Sequence, residues 1–287
     1  MDAHQPTLWD NIALENGYGL LSGLQLKEAV TQFKDAMQSP MADLESIQGV
    51  ITCCEFWQEW LGLLSEGPEM DDPRDRVVRT FQEILEDFMA YPFDPRMTGF
   101  KKNLLGRLTD HFQDKGPLDL KTFETLFDLL LGLNMYPRAM DLASHAVHQG
   151  PQEYFLHYFL AQAQWLNKDQ SEAKRNYAMA LLYFPDGTMQ KRIVHGQLGK
   201  LVEDHGIAMG AAFGRLYEIL PPIPIKDGIR FRDQEHQNAT ECYQLLEGLS
   251  KTMLDGDQRA NVQFRKQLKE RAPDLFDAYM RRLHLWK

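Results

Sequence analysis

Few residues of this chain have the type and spacing to do chemistry. His145 and His148 stand three apart and His157 follows, and neighbouring imidazoles can hold a transition metal. No second matched ligand pair and no acidic residue completes that set, so solvent-facing or helix-capping histidines are the plainer reading. No metal or cofactor is expected. Asp110, His111 and Asp114 have acid/base composition, but a helix C-terminus collects His and Lys, such as Lys115, for its dipole alone. Adjacent Cys53 and Cys54 could be a redox pair. They project in different directions from an apolar helix, and buried thiols are the better reading. There is no phosphate-binding glycine loop, nucleophile elbow or zinc-finger spacing. A non-enzymatic protein is expected.

The bulk properties narrow the partners. The chain has 287 residues, 44% hydrophobic and 25% charged, with a net charge of −10. Those are ordinary globular values. The negative charge argues against nucleic acid and against an anionic membrane surface. A basic or amphipathic protein partner fits it. Three cysteines make no disulfide framework, and neither a secretion signal nor an apolar run of about 18 residues is evident. A cytoplasmic location is the expectation.

Apolar residues recur at helical spacing almost throughout. The spacing predicts helices over 8–21, 25–37, 43–64, 75–89, 97–112, 120–133 and 138–148. Further helices are expected over 154–166, 171–184, 193–202 and 207–219, and, after a break, over 234–254, 257–271 and 273–285. The break, Leu220-Pro221-Pro222-Ile223-Pro224-Ile225-Lys226-Asp227-Gly228, is an extended connector or an arm along the bundle, because prolines so dense cannot be helix interior. Gly206, Gly210 and Gly214 put a small residue at every fourth position, which implies close helix packing. Glu83, Glu86 and Asp87 read as a solvated helix face. Trp57 falls on an apolar stripe and Trp60 off it. The fold class is all-α.

One ladder of small residues occurs twice. Ala139, Ala143, Ala146 and Pro151 recur 34 residues later as Ala173, Tyr177, Ala180 and Pro185, and Leu126 recurs as Leu160. A period in this range marks stacked repeats, in which each hairpin needs neighbours to bury its sides. Small residues such as Ala161 and Ala173 would let paired helices approach closely. Leu160-Ala161, Ala173, Tyr177, Ala180-Leu181 and Pro185 resemble the tetratricopeptide repeat. Ala161 stands for its usual glycine, and His157 and Gln164 for its aromatics. Leu126, Ala139, Ala146 and Pro151 give a second match, in phase with the first, although Phe127 sits where a small residue is preferred. Gly17, Leu20, Ala29, Phe33 and Ala36 resemble a third, with Pro40 one place early. Residues 41–117 would then hold divergent or inserted helices.

The resemblance implies antiparallel helix hairpins wound into a right-handed superhelix. It implies a repeat domain over 1–220, strongest at 120–186, a proline-rich connector at 221–232, and C-terminal helices at 233–287 packing on the repeats. By the same resemblance, the first helix of each repeat lines a concave binding surface. The exposed positions there would be Asn11, Leu14 and Tyr18, then Lys121, Glu124 and Asp128, then Tyr158, Gln162 and Trp165. The carboxylates of Glu124 and Asp128 would repel an acidic ligand and suit a basic or amphipathic one. The expected function is thus a protein- or peptide-binding scaffold. The alternative is a helical sensor or enzyme with an enclosed pocket near His145, His148 and His157. The basic, amphipathic end Arg281-Arg282-Leu283-His284-Leu285-Trp286-Lys287 could dock on its own chain or join two copies into a homo-oligomer.

Overall fold

Among the described residues every regular element is helical, as the spacing of apolar side chains requires. The computed structural model describes residues 8–40, 42–66, 95–114, 118–149, 154–225 and 231–285. The expected helix at 75–89, with Glu83, Glu86 and Asp87, lies outside these residues, as do Pro151 and the side chain of Asn11. The chain divides into two compact units, 1–133 and 134–287.

In the first unit α1 (Leu8–Ser22) pairs with α2 (Leu26–Ala36), and α2 packs on α3 (Leu44–Glu66). A 3₁₀ turn (Pro95–Met97) leads into α4 (Thr98–Asp114), which packs on α1; α5 (Leu120–Gly132) follows. Gly17 makes the α1–α2 approach possible, since a Cβ there would lie 2.7 Å from the Phe33 ring. Tyr18 meets the same ring edge-on at 5.1 Å, and the Arg96 guanidinium lies 4.2 Å over Tyr18. Trp57 is buried and Trp60 half-buried. Asp119 caps α5, accepting from Thr122 N at 3.1 Å and from the Thr122 hydroxyl at 2.6 Å.

The second unit begins with α6 (Tyr136–Gln149), which packs on α7 (Leu156–Leu166), and α7 pairs with α8 (Gln170–Tyr183). A 3₁₀ turn (Gly187–Arg192) precedes α9 (Gly196–His205) and the short α10 (Gly210–Leu216). After the proline arm come α11 (Gln234–Asp255), α12 (Gln258–Arg271) and α13 (Pro273–Leu285). One hydrophobic core joins α7–α10, the arm and the three C-terminal helices. α9 and α10 are displaced or shorter relative to the expected 193–202 and 207–219. His195 caps α9, and Glu218, with φ of 58°, ends the helical run.

Three inter-helix turns share one backbone device. Leu24, Asn134 and Lys168 adopt the left-handed conformation, with φ of 58°, 56° and 68°. Each stands five residues before a ladder alanine: Ala29, Ala139 and Ala173. At the first and third the same hydrogen bonds close the turn. Gln25 N donates to Leu20 O and Leu24 N to Leu21 O; Asp169 N donates to Gln164 O and Lys168 N to Trp165 O. The ladder then faces inward: Ala29, Phe33, Ala36, Ala139, Ala143, Ala173, Tyr177 and Ala180 are buried, while Ala146 is half-buried. A side chain in the left-handed region costs about 1–2 kcal/mol, and Lys168 is exposed. Lys168→Gly is therefore expected to raise the unfolding free energy by about 0.5–1 kcal/mol after the entropy of glycine in the unfolded chain is deducted. A urea-melt midpoint that does not rise would contradict this.

The arm does lie along the bundle. Leu220 and Ile223 are buried, and the Tyr243 hydroxyl accepts from Ile223 N at 2.8 Å while donating to Pro221 O at 3.1 Å. Beyond the arm, Arg232 pairs with Asp186 at 3.1 Å and donates to Pro185 O at 3.3 Å. Burial opposes ionisation of Asp186, but hydrogen bonds from Thr188 and the Arg232 charge outweigh it and hold the carboxyl below its usual range. His236 is buried at the start of α11. Its Nδ1 accepts from Arg232 N at 3.2 Å and its Nε2 donates to Leu182 O at 2.5 Å, which fixes the neutral tautomer.

Candidate binding groove

Helical spacing places Tyr158, Gln162 and Trp165 on one face of α7, but the chain covers that face itself. Tyr158 is fully buried and its hydroxyl donates to Phe184 O at 3.0 Å; burial pushes this phenol's pKa upward. Gln162 is buried under the 3₁₀ turn, where Arg192 reaches its Oε1 at 3.4 Å and lies 4.4 Å over the Phe159 ring. Trp165 is half-buried and stacks on His195 at 4.1 Å. The expected exposure of Tyr158 and Gln162 is thus corrected, because residues 184–195 return across α7. Tyr18 is corrected too: it is buried between Phe33 and Arg96. Lys121 and Asp128 are exposed and Glu124 is half-buried, on one face of α5.

His195 gives the second unit a pH response. Its Nδ1 accepts from Leu198 N at 3.4 Å, capping α9. Burial, and then the nearby Lys174 charge, lower its pKa below the ordinary 6.5. The unfolded chain therefore binds the proton first. This contribution to stability is complete above about pH 6.5 and is lost as pH falls through the folded value. His195→Asn keeps a capping oxygen without titrating in this range. Its urea midpoint is expected to fall less than the wild type's between pH 7 and pH 5; equal losses would exclude His195 as the source.

The histidines of the sequence analysis lie apart in role. His145 and His148 are exposed on α6, with His148 Nδ1 2.6 Å from Ser144 O. His157 turns toward α8, where its Nδ1 donates to Asn176 Oδ1 at 2.6 Å and Asn176 Nδ2 donates to Gln164 Oε1 at 2.8 Å. His157 and Gln164, which replace the repeat's aromatics, thus join a polar network with Asn176. Among the described residues no three His, Cys, Asp or Glu side chains converge as a metal site. Cys53 and Cys54 are buried, and burial pushes their thiols to about 11 and about 12, unsuited to thiolate chemistry.

The feature that the sequence reading missed lies where α10, α11 and α13 meet. A cavity of about 460 Å³ is lined by Leu216, Leu246, Met253, Leu254, Tyr279 and Leu283, with Arg215, Glu218, Ser250 and Arg282. Its shape follows from α11. The core-facing residues Cys242, Leu245, Leu246 and Leu249 are buried, but the apolar run continues to Met253 and Leu254, which are 55% and 87% exposed. The helix outruns its cover. Val262 on α12 is a further exposed apolar side chain. Arg282 donates to Leu216 O at 2.6 Å and pairs with Glu218 at 2.7 Å, while Arg215 pairs with Glu247. Arg282, within the basic end of α13, is therefore turned onto its own chain, whereas Arg281 is exposed and Trp286 and Lys287 lie outside the described residues. The guanidinium side chains are only 17% and 24% exposed, and Glu218, paired with Arg282, is 61% exposed. The continuation of apolar residues past Leu249 was the available signal.

No helix among the described residues is long and apolar enough to cross a membrane. Comparison of the chain with family models, with curated proteins and with solved structures finds no match.

Proposed function

We propose that this chain is a non-enzymatic scaffold of tetratricopeptide-like helical hairpins that binds another protein. The carrying observation is the apolar stripe of α11, which leaves its own core at Met253 and Leu254 beside a 460 Å³ groove. Apolar surface held open beside a concavity is what a partner's side chains can bury. The recurring left-handed turn five residues before Ala29, Ala139 and Ala173 supports the repeat reading. The α5 face of Lys121, Glu124 and Asp128 remains a candidate binding face from the resemblance. Affinity capture with wild-type chain and with a Met253→Asp, Leu254→Asp double variant tests the reading. A specific protein retained by the wild type and lost by the variant is expected; identical captured sets would reject the groove as the binding surface.

A further inference from the structure

We infer that Met253 is an oxidation site that switches the end of α11 between an apolar and a polar state, with a peroxide as the oxidant and the Tyr279 hydroxyl as the donor to the new oxygen. The site stands on the geometry; its effect on a partner rests on the protein-binding reading above. Exposure singles out this sulfur. Among the described residues Met253 is the only exposed methionine, at 55%: Met97 is buried and the rest are half-buried. The competing sulfurs are shut away. Cys53, Cys54 and Cys242 are buried, and burial pushes their thiols to about 11, about 12 and about 11, so a peroxide meets little thiolate.

Tyr279 is the second, independent observation. It reaches from α13, is 7% exposed, and donates its hydroxyl to Met253 Sδ at 3.7 Å. A thioether sulfur is a weak acceptor, so this phenol is held against a poor partner. Oxidation supplies a good one. A sulfur lone pair attacks one peroxide oxygen and the O–O bond breaks. The proton on the transferred oxygen passes to the departing hydroxide, which leaves as water. The thioether is thereby oxidised to the sulfoxide and the peroxide reduced. The new oxygen is bonded to the atom that Tyr279 already faces. The product is polar and chiral where the thioether was apolar, and it sits beside Leu254 on the lining of the cavity of about 460 Å³. Apolar surface that a partner would bury is lost. Sulfoxide reductases reverse the step, so the change can act as a switch.

The test treats the full chain with limiting hydrogen peroxide and follows each methionine by peptide mass mapping. Met253 is expected to gain one oxygen roughly tenfold or more faster than Met97, Met179 or Met209. Equal rates at Met253 and at the half-buried Met179 and Met209 would overturn the site. Tyr279→Phe keeps the ring and removes the donor. Oxidation should shift the urea midpoint more favourably in the wild type than in Tyr279→Phe; equal shifts would exclude Tyr279 as the donor to the new oxygen. Affinity capture reads the consequence, with Met253→Leu as an apolar chain that lacks the sulfur. Peroxide-treated wild type should lose the retained protein, treated Met253→Leu should keep it, and methionine sulfoxide reductase with its reductant should restore it to the wild type. Loss from both chains, or from neither, would overturn the switch. If the untreated wild type and the Met253→Asp, Leu254→Asp variant capture identical sets, the protein-binding reading fails, while the mapping and the midpoints still decide whether Met253 is the oxidation site.

Discussion

Tyr243→Ala is expected to lower the unfolding free energy by about 3–5 kcal/mol, the range for removing a large buried ring. Tyr243 is fully buried in the core that joins α8, α10 and the C-terminal helices, so the ring's loss opens a cavity that rigid neighbours cannot fill. The hydroxyl carries a separable part. It bridges Ile223 N and Pro221 O, fixing an arm whose prolines cannot supply donors of their own. Tyr243→Phe keeps the ring and leaves the buried Ile223 N–H without its acceptor, which costs about 1–3 kcal/mol. Burial pushes the phenol to about 12, so the bridge stays intact across the neutral range. Urea unfolding of both variants checks the order. If Tyr243→Phe were as stable as wild type, the arm would not be clamped as described. Hydrogen exchange at Ile223 should quicken in Tyr243→Phe and serves as the local readout.

Gly214→Val is the second large effect. A Cβ at Gly214 would stand 2.7 Å from Leu220 Cδ1, 2.8 Å from Leu220 Cγ and 3.3 Å from Leu198 Cδ1. Leu220 has little room to retreat, because it is buried, donates to Gly214 O at 3.0 Å and is followed by Pro221. Overpacking a closed site costs about 1–3 kcal/mol for added methylenes, and a branched side chain belongs at the upper end. Gly214→Ser should cost less, and an exposed control such as Lys168→Ala should stay near the wild-type midpoint. A Gly214→Val midpoint within error of wild type would mean that α10 does not approach the arm this closely.

Much of the fold was legible in the sequence because local forces set it. The α13 bounds, Pro273–Leu285, match the expected helix, since proline suits a first turn. Of the three spaced glycines, Gly210 and Gly214 do pack closely, a Cβ at Gly210 lying 2.7 Å from Val202 Cγ2, whereas Gly206 serves as the α9 C-cap with φ of 85° and no neighbour nearer than 3.8 Å. Proline density correctly indicated the arm. The misses came where distant residues decide exposure. Nothing local to Tyr158 or Gln162 reveals that Phe184 and Arg192 will cover them. The same holds for α11: its periodicity gives the helix and its apolar side, but whether α10 and α13 reach far enough to cover Met253 and Leu254 is a tertiary outcome. His157 and Gln164 show the reverse case. As departures from an aromatic pattern they looked like gaps in the repeat, yet with Asn176 they satisfy one another inside the hairpin.

Photo-crosslinking from position 254 in cells, with a crosslinker at the exposed position 168 as control, tests whether the end of α11 is a binding groove. A discrete crosslinked protein is expected from position 254, absent from position 168 and reduced when Met253→Asp is added. No adduct from 254, or the same adducts from both positions, would contradict a binding groove at the end of α11.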